Sequence, residues 1–105
     1  MKVYISGMIS ESLDYEARFN QAEQLIREAG EIPINPAKYG SPSDGTWAYY
    51  MKEGIKELLN CDAIYMLNGW GDSRGACLER HIATQLDMPV FAQVNKDFER
   101  RILND

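Results

Sequence analysis

The sequence is poor in the residue types that staple or metallate small proteins. In 105 residues it has two cysteines, one histidine and four prolines. Cys61 and Cys77 make no disulfide framework, and no CxxC spacing or Cys/His cluster marks a zinc site, so a reducing, cytoplasmic setting without a bound metal is expected. A surplus of positive charge is missing too. Lysine and arginine total 11 against 16 aspartates and glutamates, a net charge of −5. Phosphate backbones call for a basic face, so no nucleic-acid polymer is expected as partner, whereas a small phosphorylated ligand needs only one local cluster of donors. Long apolar runs are absent. Residues 63–67 form a run as long as any, far short of the ~20 residues that cross a bilayer. The start, Met-Lys-Val-Tyr-Ile-Ser-Gly, turns polar too early for a secretory leader.

What is present is ordinary globular composition, 45% apolar and 26% charged, enough for one modest core and one domain over 1–105. The pattern alternates. Val3, Tyr4 and Ile5 read as a strand broken by Ser6 and Gly7. Tyr15, Phe19, Ala22, Ile26 and Ala29 recur at helical spacing, with Gly30 where a helix-ending glycine belongs. Ile32, Pro33 and Ile34 read as a strand that proline confines to a sheet edge. After a loop over 35–45, Asp44 or Thr46 can cap a second helix with Trp47, Met51, Ile55, Leu58 and Leu59 inward. Residues 63–67 suit a central strand buried on both faces. A third helix is expected from about Gly75 to Leu86, a fourth strand over 89–92, and a short last helix carrying Phe98 and Ile102. This order predicts an α/β, doubly wound, Rossmann-like or flavodoxin-like parallel sheet of about four strands, order 2-1-3-4, with helices on both faces. Ligands bind such sheets beyond the carboxyl ends of the strands, where strand order reverses. The loops over 6–10 and 68–75 should therefore meet there.

Glu79 is the most informative residue. It falls on the apolar stripe Ala76, Glu79, Ala83, Leu86 of the third helix, where an acid is either paired at the rim with Arg74, Arg80 or Lys56, or kept for chemistry. The helix start should help keep it ionised. Gly69, Gly71 and Gly75, with Ser73 and Arg74, form a loop that either receives an anion or simply caps the helix. Tyr4 is a core aromatic by default, though it lies near the ligand edge. Trp47 and Trp70 either cover a base or sugar or serve core or interface. His81 falls off the Glu79 stripe, Cys77 reads as packing, and no GxSxG elbow occurs.

Taken in order, a set of landmarks resembles the nucleoside 2-deoxyribosyltransferase-like superfamily, in particular its small DUF4406-type branch found in phages and bacteria. The landmarks are Tyr4-Ile5-Ser6-Gly7, Phe19-Asn20 with Ala22 and Leu25, Ile34-Asn35-Pro36-Ala37, and Trp47 with Tyr50-Met51. They continue with Leu58-Leu59-Asn60-Cys61-Asp62-Ala63-Ile64, Gly69-Trp70, and Ser73-Arg74-Gly75-Ala76 with Glu79. The resemblance implies that Glu79 attacks C1′ of a 2-deoxyribosyl group and displaces the base, and that water or a second base resolves the glutamyl-sugar intermediate. It implies that Tyr4 orients Glu79. Ser6, Gly7, Gly69, Trp70 and Gly75 would belong to the substrate loops. Ser73 matches a serine that touches the 5′-phosphate in nucleotide-hydrolysing relatives, which favours a 2′-deoxynucleoside 5′-monophosphate over a free nucleoside. No cofactor is implied. Relatives are oligomers whose neighbouring subunits complete the site, so a homo-oligomer, by default a symmetric dimer, is expected, with Trp47, Tyr49 and Tyr50 as its candidate face.

Two positions depart from the pattern. Met8 stands where the family has proline. Gly54 stands where it has an aspartate that assists the departing base; Glu57, one turn on, or Glu53 would have to substitute. The alternatives to a transferase or hydrolase are a module that binds a nucleotide or its derivative without turning it over, or an interaction protein with a vestigial pocket.

Overall fold

The computed structural model describes residues 1–9, 14–39, 45–94 and 99–102. Ser10, Asp44 and Phe98, named above, lie outside them. One sheet runs through the molecule in the order β2-β1-β3-β4-β5. β1 (Lys2–Ser6) pairs in parallel with β2 (Ile32–Ile34) on one side and β3 (Ala63–Met66) on the other, and β3 pairs in parallel with β4 (Val90–Val94). The four parallel strands therefore have the expected order, and strand order reverses between β1 and β3.

Alternation along each strand divides the interior in two. Val3 and Ile5 of β1, with Ala63, Tyr65 and Leu67, pack under helix α1 (Tyr15–Glu28) through Phe19, Ala22 and Ile26. Tyr4, Ile64, Met66, Val90 and Ala92 face the opposite layer, where Leu58 of α2 (Trp47–Leu59) and Ala76 and Ala83 of α3 (Arg74–Gln85) meet them. The unbroken apolar run of β3 is the expected signature of burial on both faces, and every residue of that strand is buried. Gly30 ends α1 at φ +84, a left-handed backbone that glycine adopts without strain. Thr46 caps α2, its Oγ1 accepting from the Tyr49 N–H at 3.1 Å.

Three expectations are corrected. The last segment is a strand, not a helix. β5 (Glu99–Ile102) runs antiparallel to β4, with Phe91 opposite Ile102 and Val94 opposite Glu99. Four intervening residues suffice for a hairpin, and pairing covers an edge that β4 would otherwise leave open. In α2, Leu59 is 56% exposed and Trp47 37% exposed, while Gly54 and Leu58 are the buried pair. The buried face is centred on Gly54 and Leu58, four residues apart, and Leu59, about 100° further round, turns to solvent. Leu86 and Ala29 are caps past the last helical turn and are exposed.

Candidate active site

Tyr4 and Ser6 are two residues apart on β1, so both side chains leave the same face of the sheet. That face is covered by α3, whose apolar stripe carries Glu79 between Ala76 and Ala83. The three side chains meet. The Tyr4 hydroxyl donates to Glu79 Oε2 at 2.6 Å, and Ser6 Oγ donates to Oε1 at 2.7 Å. Tyr4 and Ser6 are 1% exposed and Glu79 7%. No ion pair to Glu79 occurs among the described residues, so the rim pairing with Arg74, Arg80 or Lys56 is not adopted.

Two donors, one on each oxygen, fix the plane of the carboxylate and leave further lone pairs for a ligand. Burial pushes the Glu79 carboxyl above the usual carboxylate range, opposed by the hydrogen bonds from Tyr4 and Ser6. Help from the helix start, expected from sequence, does not prevail: Glu79 sits in the second turn of α3, and dipole effects fade beyond the first. A buried acid held by two neutral donors, with no ion pair among the described residues, is a candidate for chemistry.

Gly54 lies directly against this pair. A Cβ built on it would fall 2.7 Å from the Tyr4 hydroxyl and 2.9 Å from Glu79 Oε2. The α2 backbone therefore lies against Tyr4 and Glu79 at a distance that only glycine allows.

Glu79 opens onto a cavity of about 350 Å³ at the carboxyl end of β1. Its walls include Ser6 at the end of β1 and Gly7 after it, Ser73 and Gly75 at the start of α3, and Glu53, Gly54 and Glu57 along α2. Trp47, Tyr49, Tyr50 and Met51, from the first turns of α2, also line it. Tyr49 and Tyr50 meet edge to face at 5.9 Å between ring centres. The Arg74 guanidinium sits 3.8 Å from the centre of the Trp47 ring and ties the starts of α2 and α3 together. Ser73 caps α3 by accepting from the Ala76 N–H at 3.2 Å.

Of the residues singled out from sequence, Tyr4, Ser6, Gly7, Glu57, Ser73, Gly75 and Glu79 line this cavity; Gly69 and Trp70 do not. Their loop is drawn to the other side, where Arg18 of α1 donates to the Asn68 carbonyl and the Asn68 N–H donates to Gln93 Oε1 of β4. Trp70 packs against the α2/α3 layer, with Arg80 over its ring at 5.0 Å. The role of Ser6 as second donor to the carboxylate was missed, although its two-residue spacing from Tyr4 was the signal. Tyr49, Tyr50 and Met51 were missed as cavity walls; the aromatic run at the start of α2 was their mark. His81 is exposed, as its place off the stripe suggests. No cluster of three or more metal-ligating side chains occurs among the described residues.

The fold superposes on a solved structure of 2-deoxyribosyltransferase from the psychrotolerant bacterium Bacillus psychrosaccharolyticus. The TM-score is 0.69 over 94% of this chain and 77% of that one, at 18% sequence identity, so the chain has a nucleoside 2-deoxyribosyltransferase-like fold. The chain belongs to the DUF4406 family, a domain of unknown function, whose model matches residues 1–92. No sequence among curated proteins matches it.

Proposed function

We propose that the protein cleaves or transfers at the N-glycosidic bond of a 2′-deoxynucleoside 5′-monophosphate, with Glu79 as nucleophile. The observation that carries this reading is the buried carboxylate held by Tyr4 and Ser6 at the floor of an aromatic-walled cavity. An oxygen of Glu79 attacks C1′ of the sugar. The C1′–N bond breaks and its electron pair leaves with the base, which takes a proton from Glu57 or, failing that, Glu53 on the α2 wall. Water or a second base then attacks C1′ and gives its proton to the α2 carboxylate that had lost one, while the bond from C1′ to the Glu79 oxygen breaks and returns the carboxylate. Tyr4 and Ser6 hold the carboxylate plane so that little reorganisation accompanies the attack. The aromatic side chains of early α2 offer faces for the base, and Ser73 with the start of α3 offers donors for the phosphate. A site open at an aromatic rim also agrees with a homo-oligomer in which a second copy closes it.

Gly54 favours one second reading. With no side chain at the position where the resemblance implies an acid, the pocket would bind a nucleotide without turning it over. Chromatography of base released from deoxynucleoside monophosphates, ribonucleoside monophosphates and free deoxynucleosides separates the two. Release from one class, lost in Glu79→Gln, is expected. Nucleotides that raise the melting temperature while no base appears after long incubation would overturn the catalytic reading in favour of the binding module.

A further inference from the structure

The resemblance makes Gly54 the place of a lost catalytic group. The geometry points elsewhere: we propose that Gly54 is a positioning residue, whose missing side chain is the space in which the Tyr4 hydroxyl and the Glu79 carboxylate meet. A Cβ at this position would lie 2.7 Å from one and 2.9 Å from the other, closer than carbon and oxygen can approach without displacement. Neither neighbour yields freely. The Tyr4 ring is fully buried within the α2/α3 layer, and close-packed interiors leave an aromatic ring no room to retreat along its axis. Glu79 is anchored at both oxygens. Any side chain at 54 therefore parts Glu79 from Tyr4, and an aspartate there is incompatible with the 2.6 Å bond between them. In this chain the Tyr4–Glu79 bond and a side chain at 54 are mutually exclusive.

The inference concerns the anchoring of Glu79 and draws on the proposed reaction only where rates are read. The test is a cycle of Gly54→Ala, Tyr4→Phe and the double variant, followed by carbon-13 NMR titration of the Glu79 carboxyl, assigned with Glu79→Gln. The titratable groups sharing the cavity with it are Tyr4 on β1, Tyr49, Tyr50, Glu53 and Glu57 on α2, and their signals serve as internal controls. Tyr4 donates to the charged form, so Tyr4→Phe moves the titration upward, and Gly54→Ala moves it in the same direction. The double variant moves it no further than Tyr4→Phe alone, because the bond is already gone. Additive shifts, or an unmoved titration in Gly54→Ala, overturn the proposal. If Gly54→Ala does not fold, the double variant still decides. With the hydroxyl gone only the Glu79 oxygen faces the new Cβ, and the carboxylate, released from Tyr4, can turn aside, so the double variant melts above Gly54→Ala; a double variant no more stable than Gly54→Ala overturns the proposed contact. Where base release is measurable, Gly54→Asp lowers it on the order of 10²-fold, the scale of an ångström-sized misplacement; a gain in rate would instead show that an acid had been missing. Loss of the reaction in all forms would sink the proposed function while leaving the titration cycle to judge Gly54.

Discussion

Replacing Glu79 by glutamine should make the protein more stable at neutral pH while removing its function. The carboxyl is pushed up by burial, with Tyr4 and Ser6 opposing, so folded and unfolded chains bind different numbers of protons between the two titrations. Below the ordinary value of about 4.5, both states are protonated and stability is at its full level. As pH rises past it, the unfolded chain releases the proton first while the folded chain keeps it, and stability falls until the folded carboxyl also ionises. Each unit of displacement is worth about 1.4 kcal/mol, or roughly 4–8 °C of melting temperature for a domain near this size. Glutamine has nearly the same shape and carries no charge. The Tyr4 and Ser6 hydroxyls can each donate or accept, so one turns to receive the amide hydrogen and both contacts persist. Circular-dichroism melts of wild type and Glu79→Gln from pH 4 to 8 measure the effect. The wild-type melting temperature declines relative to the variant as pH rises, and the gap levels off once the folded carboxyl ionises. A gap that does not change with pH would refute the reasoning, since it would mean that burial does not penalise the charge.

Two further outcomes follow from the site and its surroundings. Glu57→Gln lowers base release by on the order of 10²–10⁴-fold with little effect on stability, whereas Glu53→Gln, whose carboxylate pairs with Lys56 at 3.3 Å, has the smaller effect; steady-state rates with one deoxynucleoside monophosphate separate them. Thiol labelling at pH 8 modifies Cys77 rapidly and Cys61 slowly. Cys77 is exposed, whereas Cys61 is half-buried, donates to the Glu57 carbonyl and has its thiol pushed up to about 11, chiefly by burial; mass spectrometry of the labelled peptides reads the order.

The architecture was legible because its signals are periodic. Strands β1 and β3 announce themselves by apolar character, α1 by the spacing of Phe19, Ala22 and Ile26, and the parallel order by alternation of strand and helix. Glu79 was legible as a misfit, an acid on an apolar stripe. What escaped was whatever depends on contact across the chain. Glu99, Arg100, Arg101 and Ile102 lack the alternation of a half-buried strand, and only the neighbouring edge of β4 makes them one. Gly69 and Trp70 follow β3 in sequence, but hydrogen bonds from Arg18 and to Gln93 turn their loop from the cavity, and nothing local records that direction. Gly54 was visible as a departure, yet its meaning lay in two oxygen atoms contributed by residues 50 positions before it and 25 after.

The proline of β2 has a consequence for how copies of this chain can meet. The Ile32 N–H bonds inward to the Met1 carbonyl of the adjacent chain segment. N–H groups alternate sides along a strand, so position 33 faces away from the sheet, and proline there has no hydrogen to offer. In a three-residue strand that is the one place where an outward donor would stand. The sheet therefore ends at β2 chemically as well as spatially: an approaching strand finds no donor within β2 to start a ladder. A strand laid against that edge meets the outward Pro33 carbonyl but no N–H from β2, so a ladder there lacks its β2 donor and the sheet is poorly suited to grow on that side.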